Sequence, residues 1–308
     1  MRPERMRVER MRSERMRVGR LGVAIAAVAV LASACGGVGD DGPGSTGATG
    51  STGIAHPTGA DQVVLRVAYE GGFVPYEYTL SNMPSWSLFG DGTLILQGPQ
   101  IEIYPGPALP NLVAIPISGE GVQAILEAAR DAGLMDGDAT YGNDCIADAA
   151  TTVFTTNAEG QTSVVSAYAL DVGDPPGSCG GEVDRDARAA LAEFQTMLGD
   201  LQSWLPAGAV GAEEPYEPTE MRVYVLPYRG DAELPQGAIA WPLEVPLDAF
   251  GEPVANAPTD TRCGVVTGSE FETLFTAARE ANQLTPWTSG GTEYGLILRP
   301  LLPDEHTC

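Results

Sequence analysis

The sequence predicts an α+β fold: two modules of antiparallel sheet packed with helices, the second a shorter partial repeat of the first. Three observations lead there. Apolar residues alternate in short runs bounded by Gly, Pro, Asn and Asp, as strands require. Two longer stretches carry apolar residues at helical spacing instead. One of these has a second copy: "SGEGVQAILEAARDA" (Ser118–Ala132) aligns without gaps on "TGSEFETLFTAAREA" (Thr267–Ala281) and is identical at five positions.

The elements follow in chain order. "VVLRVAY" places Val63, Leu65, Val67 and Tyr69 on one face of a strand. "WSLFGDGTLIL" (Trp86–Leu96) reads as a hairpin turning at Gly90-Asp91-Gly92. The proline-rich loop "IYPGPALPNL" (Ile103–Leu112) then leads into strand "LVAIPI". Ser118 opens a helix whose buried face is Val122, Ile125, Leu126 and Ala129. "TTVFTTNAEGQTSVVSAYAL" is a second hairpin, turning between Asn157 and Gly160. From Asp184 to Leu205 a stripe of Ala187, Leu191, Phe194, Leu198, Leu201 and Leu205 predicts another helix.

Residues 61–205 are thus a first module, 206–220 ("PAGAVGAEEPYEPTE") a linker, and 221–308 a second module opening on strand "MRVYVLP". Phe271, Leu274, Phe275 and Ala278 take the places of the four core residues of the first copied helix. Duplication of a strand–helix–strand unit explains this match, and chance similarity of two amphipathic helices is the alternative.

Ahead of the folded part, residues 1–34 read as a secretory signal. The apolar run "LGVAIAAVAVLASA" (Leu21–Ala34) follows an arginine-rich start and, at fourteen residues, is too short to span a bilayer. The first twenty residues are four copies of a five-residue unit, whose period places no stripe on a helix. Met16 is read as the true start. Residues 35–60 form a Gly/Ser/Thr-rich tether with a reach of about 25–30 Å.

The apolar run stops at "LASAC", which resembles the lipobox of bacterial lipoproteins. The resemblance implies that Cys35 carries the lipid and becomes the first residue after cleavage, leaving the protein on the outer side of the cell membrane. Ala32 stands where that pattern usually has leucine.

Loss of residues 1–34 removes eight Arg and three Glu, leaving nine Arg against 38 acidic residues, a net charge near −29 without a single lysine. Such a surface repels nucleic acid and favours basic or apolar protein partners. Four cysteines remain: Cys145, Cys179, Cys263 and Cys308. No C-x-x-C pair occurs, so no metal is expected, and export favours disulfides. Of three possible pairings, Cys145–Cys179 and Cys263–Cys308 close loops within their own modules.

Little in the chain carries chemistry. His56 sits in the tether and His306 near the terminus, so Ser-His-Asp, Cys-His and Ser-Lys machinery is missing, and no cofactor is called for. "DGDATYGNDCIAD" offers Asp136, Asp138, Asn143, Asp144 and Asp148 as calcium ligands, but Tyr141 and Ala147 occupy the positions an EF-hand gives to Gly and Glu. The expectation is a non-catalytic surface lipoprotein that binds a protein or wall polymer through its loops. The alternative is a secreted carboxylate hydrolase acting on glycans. The candidate binding loop is Tyr104, Pro105, Pro107 and Leu109. If it binds, Tyr104 and Leu109 face solvent; if it covers a sheet edge, they are buried.

Two resemblances complete the reading. "VAYEGGF", with Gly71, Gly72 and Phe73, together with the order of elements over residues 63–205, is similar in outline to the emfourin family, small bacterial inhibitors of thermolysin-like metalloproteases. The proline-rich insertion departs from that pattern, and no inhibitory residue is carried over. The whole chain also resembles two-module lipoproteins of actinobacteria.

Overall fold

The computed structural model describes residues 53–143, 145–172 and 184–308. The signal segment, Cys35, most of the tether and Cys179 lie outside the described residues.

The chain opens with β1 (Val63–Gly71), a short helix α1 (Tyr76–Ser81), and the hairpin β2 (Trp86–Phe89) and β3 (Thr93–Gln97). Gly92 makes that turn with φ +87°, where a side chain is strained, and an added Cβ would strike the Ile117 carbonyl oxygen. Next come β4 (Leu112–Pro116), α2 (Gly119–Asp131), β5 (Ala139–Tyr141), and the hairpin β6 (Ala150–Ala158) and β7 (Gln161–Tyr168). Glu159 and Gly160 both have positive φ, the signature of a two-residue turn that matches strand twist. Then follow α3 (Arg185–Leu198) and β8 (Glu214–Pro215).

The second half holds β9 (Glu220–Pro227), β10 (Ile239–Ala240), β11 (Glu252–Pro253), β12 (Arg262–Thr267), α4 (Gly268–Ala278), and the hairpin β13 (Trp287–Ser289) and β14 (Thr292–Pro300). Two sheets result, ordered β5-β7-β6-β1-β2-β3-β4-β8 and β10-β13-β14-β9-β12-β11. All neighbours are antiparallel except β5 with β7 and β10 with β13. The α+β class holds, and sheet dominates it.

On one face of the larger sheet, Leu65, Leu88, Leu94, Phe154 and Val165 pack against Ile125 and Leu126 of α2 and Leu191 and Phe194 of α3. Ser118 caps α2 by accepting from the Gly121 amide, and Asp184 caps α3 by accepting from Ala187. α4, whose sequence aligns with that of α2, departs here, because Thr267 makes no side-chain cap bond. Its core face is nevertheless matched: Phe271, Leu274 and Ala278 are buried and Phe275 is half-buried. They meet Met221, Val223 and Val225 of β9, Leu298, and an aromatic group in which Trp241 lies edge-on to Phe250 and Trp287.

The predicted Asp184–Leu205 helix is shorter than its stripe. It ends at Leu198 before Gly199, and Leu201–Ser203 form a separate 3-10 turn. Leu201 and Leu205 still reach the core.

Two segments expected to be free of the body are bound to it. Ile54, inside the expected tether, is 7% exposed, and its amide and carbonyl bond the Gln123 side chain. The Glu159 amide donates to Ala55 O at 2.7 Å. Part of the 206–220 linker likewise follows the edge of β4. Ala209 is buried, Ser118 N donates to its carbonyl, Gly211 N donates to Pro116 O, and β8 pairs with β4. The open edge of β4 carries unpaired amides and carbonyls, and any chain running beside it satisfies them whatever its side chains.

The opposite face of the larger sheet is also covered. Phe89 and Ile95 pack there with Met83, Leu112 and Leu302, the last from the C-terminal segment. With both faces of the sheet covered, all four residues of β2 are buried.

Candidate functional site

A groove of about 790 Å³ is lined from both sheets. β14 contributes Gly295 to Arg299, β9 contributes Leu226 and Pro227, and α1 contributes Tyr78. The loop joining β3 to β4 adds Ile101, Ile103, Tyr104 and Leu109.

That loop is tied down from both ends. Gln100 donates to the carbonyls of Gly98 and Asn111 at 2.8 and 2.9 Å. Farther along, Ala108 N donates to Ala281 O, Gln283 N donates to Gly106 O, and Pro107 pairs with Asn282. Ala108 and Leu109 pack on the aromatic core of the smaller sheet.

The two expectations for this loop therefore divide it. Tyr104 is 63% exposed, whereas Leu109 is half-buried; Pro105 is half-buried and Pro107 exposed. The loop is neither a free binding arm nor a cover for its own sheet edge. It is a bridge from one sheet to the core of the other, with its outward residues left on a groove wall. Its role as a cover was read from β-edge logic, but the backbone partners come from Ala281 to Gln283, which no local pattern could indicate.

Sequence reasoning took in Ile103 with its Ile103–Leu112 loop but missed the other large apolar residues at the mouth and beside it. Ile101 and Ile103 are 72% and 61% exposed, Tyr78 is exposed, and Phe73, just ahead of the lining residue Pro75, is 88% exposed. The available signal was "GPQIEIYPGP", where large apolar residues stand in a loop without periodicity. Such residues have no regular element to bury them.

The groove is poor in charge. Glu77 is its single acidic residue, and Arg229 and Arg299 are its cations. Arg229 is exposed and makes no ion pair among the described residues. Arg299 is committed elsewhere: its Nη1 and Nη2 grip Glu305 at 2.9 and 2.7 Å, and its Nε donates to Asn82 O. Burial pushes the Glu305 carboxyl up, but hydrogen bonds and charge from Arg299, the Leu302 amide and the Arg222 charge outweigh it. The net effect holds Glu305 below the ordinary carboxylate range.

The other recess, about 420 Å³, lies against α2 and the β6–β7 hairpin and carries Glu127, Asp136, Glu159 and Arg130. All four are exposed, and Glu159 accepts from the Ala55 amide. A glycosidase general acid works from a water-shielded site, whereas these carboxylates are exposed.

Two of the acidic loop's candidate side chains are spent on the fold: Asp138 accepts from Val164 N and Asn143 from Cys145 N, while Asp148 accepts from Phe73 N through its backbone carbonyl. Asp144 lies outside the described residues, among which no group of three or more His, Cys, Asp or Glu could hold a metal ion.

Cys263 and Cys308 form a disulfide across 45 residues, as the spacing predicted. Cys145 is disulfide-bonded too, and its expected partner Cys179 lies outside the described residues.

No protein-family model, curated protein or solved structure matches this chain. No helix among the described residues is long and apolar enough to cross a membrane.

Proposed function

We propose that this chain is a non-catalytic, lipid-anchored protein of the outer cell surface that holds a protein or wall-polymer partner in the groove beside the Gln100–Pro110 loop. One observation carries the reading. On a chain of net charge −24 the groove has a single acid and a mouth of exposed Ile and Tyr. Protein interfaces have that anatomy: charge-depleted, aromatic and apolar at the centre, polar around it.

Cys35 attaches the protein to the membrane through lipid, in this proposal, because the lipobox-like "LASAC" ends the signal. Nucleic acid is excluded as a partner by the acidic surface. The test has two arms. Cys35→Ala is expected to abolish palmitate labelling of the chain and release it from the membrane. Unlabelled wild type with unchanged membrane partition of the variant overturns the anchor. Replacing Ile101, Ile103 and Tyr104 by Ser is expected to lose partner binding while leaving the anchor intact. Equal binding by that variant overturns the groove.

The proposed duplication is supported by topology. β4 runs directly into α2 as β12 runs into α4, and each of those strands is antiparallel in sense to the first strand of its sheet, β1 or β9. Each helix is followed by a hairpin that lands on the other side of that first strand. The first unit differs in having β2 and β3 inserted between β1 and β4, and in docking its hairpin through the first strand, β6, where the second unit docks through the second strand, β14.

A further inference from the structure

Resting on that groove-binding reading, we propose that the occupant is an extended, apolar segment of a protein partner flanked by Arg or Lys, and not a wall polysaccharide. Three observations point there.

The first is where the polar side chains of the groove are spent. A glycan is held by side-chain donors and acceptors that are free to bond its hydroxyls. Here Gln100 bonds the carbonyls of Gly98 and Asn111, the Asn82 amide donates to Tyr69 O, and Gln283 accepts from Gly106 N. These amides hold the wall in place. The large apolar side chains that the mouth presents outward are Ile101, Ile103, Tyr104 and Tyr78, against Glu77, Gln97 and Arg229 among the exposed polar ones.

The second is charge. Glu102 lies between two lining isoleucines, Asp260 follows the lining Thr259, and Asp231 lies two residues beyond Arg229. Glu102 and Asp260 are exposed, so the near-neutral groove is bordered in the chain by acids. A basic-flanked segment sets its apolar centre in the groove and its charges against these acids. A second copy of this chain, carrying the same net −24, meets like charge instead.

The third is rigidity. The wall is hydrogen-bonded at both ends, closed by an Ile103 N to Ile101 O bond between them, and rich in proline, which limits the entropy lost on binding.

The test pans the immobilised full chain against short random peptides displayed on phage, with the I101S/I103S/Y104S chain in parallel. The expected result is enrichment of peptides with an apolar centre and Arg or Lys flanks. Their affinity falls at least about tenfold on the triple variant. Their association slows with added salt, and also with E102Q/D260N. The melting temperature of the triple variant stays with the wild type, which shows that it folds. Absence of enrichment, enrichment without basic flanks, or equal binding to the triple variant overturns the proposal. Soluble peptidoglycan strands are the third arm. Saturable binding of the strands that the triple variant loses overturns the peptide occupant but upholds the groove. If neither probe distinguishes the variant, the groove reading falls with it.

Discussion

The C-terminal segment from Arg299 to Cys308 and the loop from Gln100 to Pro110 both join the two sheets, and they do so by opposite means. The C-terminal segment is held by charge and covalency. Arg66 of β1 grips Asp304 through both guanidinium nitrogens at 2.9 and 2.7 Å, Arg299 grips Glu305 in the same way, and Cys308 is bonded to Cys263. Around these, the Tyr216 hydroxyl donates to Leu301 O and Arg222 donates to Thr307 O. The loop is held by backbone hydrogen bonds and one buried patch at Ala108 and Leu109, which leaves Ile101, Ile103 and Tyr104 in water. A protein of high negative charge thus uses four of its few arginines, Arg66, Arg222, Arg262 and Arg299, to fasten sheets and loops. Apolar surface is left open where a partner can reach it. Stability and the proposed binding fall to different segments, so mutation is expected to separate them.

The largest effect is expected at the disulfide. Cys263→Ser with Cys308→Ser frees a 45-residue loop, and the lost restriction of the unfolded chain is worth about 4 kcal/mol. Urea unfolding followed by tryptophan fluorescence reads it directly. A midpoint unchanged from the wild type contradicts the view that the C-terminal segment fastens the sheets.

Next comes the Arg299–Glu305 pair. Glu305→Gln leaves a buried guanidinium half-compensated and is expected to cost about 3 kcal/mol. Because the folded state holds the Glu305 carboxyl below its ordinary value, the stability it contributes is present above that value. It is lost as pH falls through the lowered one. The wild type should therefore lose more stability than E305Q on acidification from neutrality. Parallel acid titrations of the two proteins would falsify this pairing argument.

Tyr216 gives a smaller effect of the opposite sign. Burial, then the charges of Glu305, Asp304 and Glu220, push its hydroxyl up to about 12 from 10.0. The folded pKa is raised, so the contribution is complete below 10 and disappears as pH rises through about 12. Tyr216→Phe removes that alkaline dependence and the bond to Leu301 O, at a cost of about 1 kcal/mol near neutrality. An unchanged alkaline midpoint in the variant argues against Tyr216 as the group responsible.

The smallest stability effect separates the two ends of the loop. Tyr104→Ser removes an exposed ring and is expected to move stability by about 0.5 kcal/mol or less. Leu109→Ala takes apolar contact from the aromatic core and should cost about 1–2 kcal/mol. Equal melting shifts in the two variants would erase the distinction between bound and open halves of the loop.

Much of the fold was legible because it depends on neighbours in the chain. Period-two runs marked β1, the β2–β3 and β6–β7 hairpins and β9, and helical spacing marked α2 and α3. The two-residue strands β8, β10 and β11 were not legible, since two residues carry no period. The candidate site was legible only at Tyr104 and its prolines; the rest of the groove is drawn from β14, β9 and α1, which no spacing rule brings together.

By itself the sequence determined the α+β class, the core faces of the helices, the acidic and lysine-free surface, and the Cys263–Cys308 pairing among few candidates. All but the last are properties of composition or of residues a few positions apart, which survive in any compact arrangement; the cysteine pairing was one choice among three, which the structure bears out. Tertiary structure alone decided that Arg66 meets Asp304 across 238 residues and that residues near Ile54 and Ala209 are bound. It also decided that the Gln100–Pro110 loop is tied at Gln100 and again at Gly106–Leu109, leaving Ile101, Ile103 and Tyr104 open between the two. These contacts rest on edge amides, carbonyls and paired charges. Such groups pair with whatever the fold sets beside them, and so leave no periodic trace in the chain.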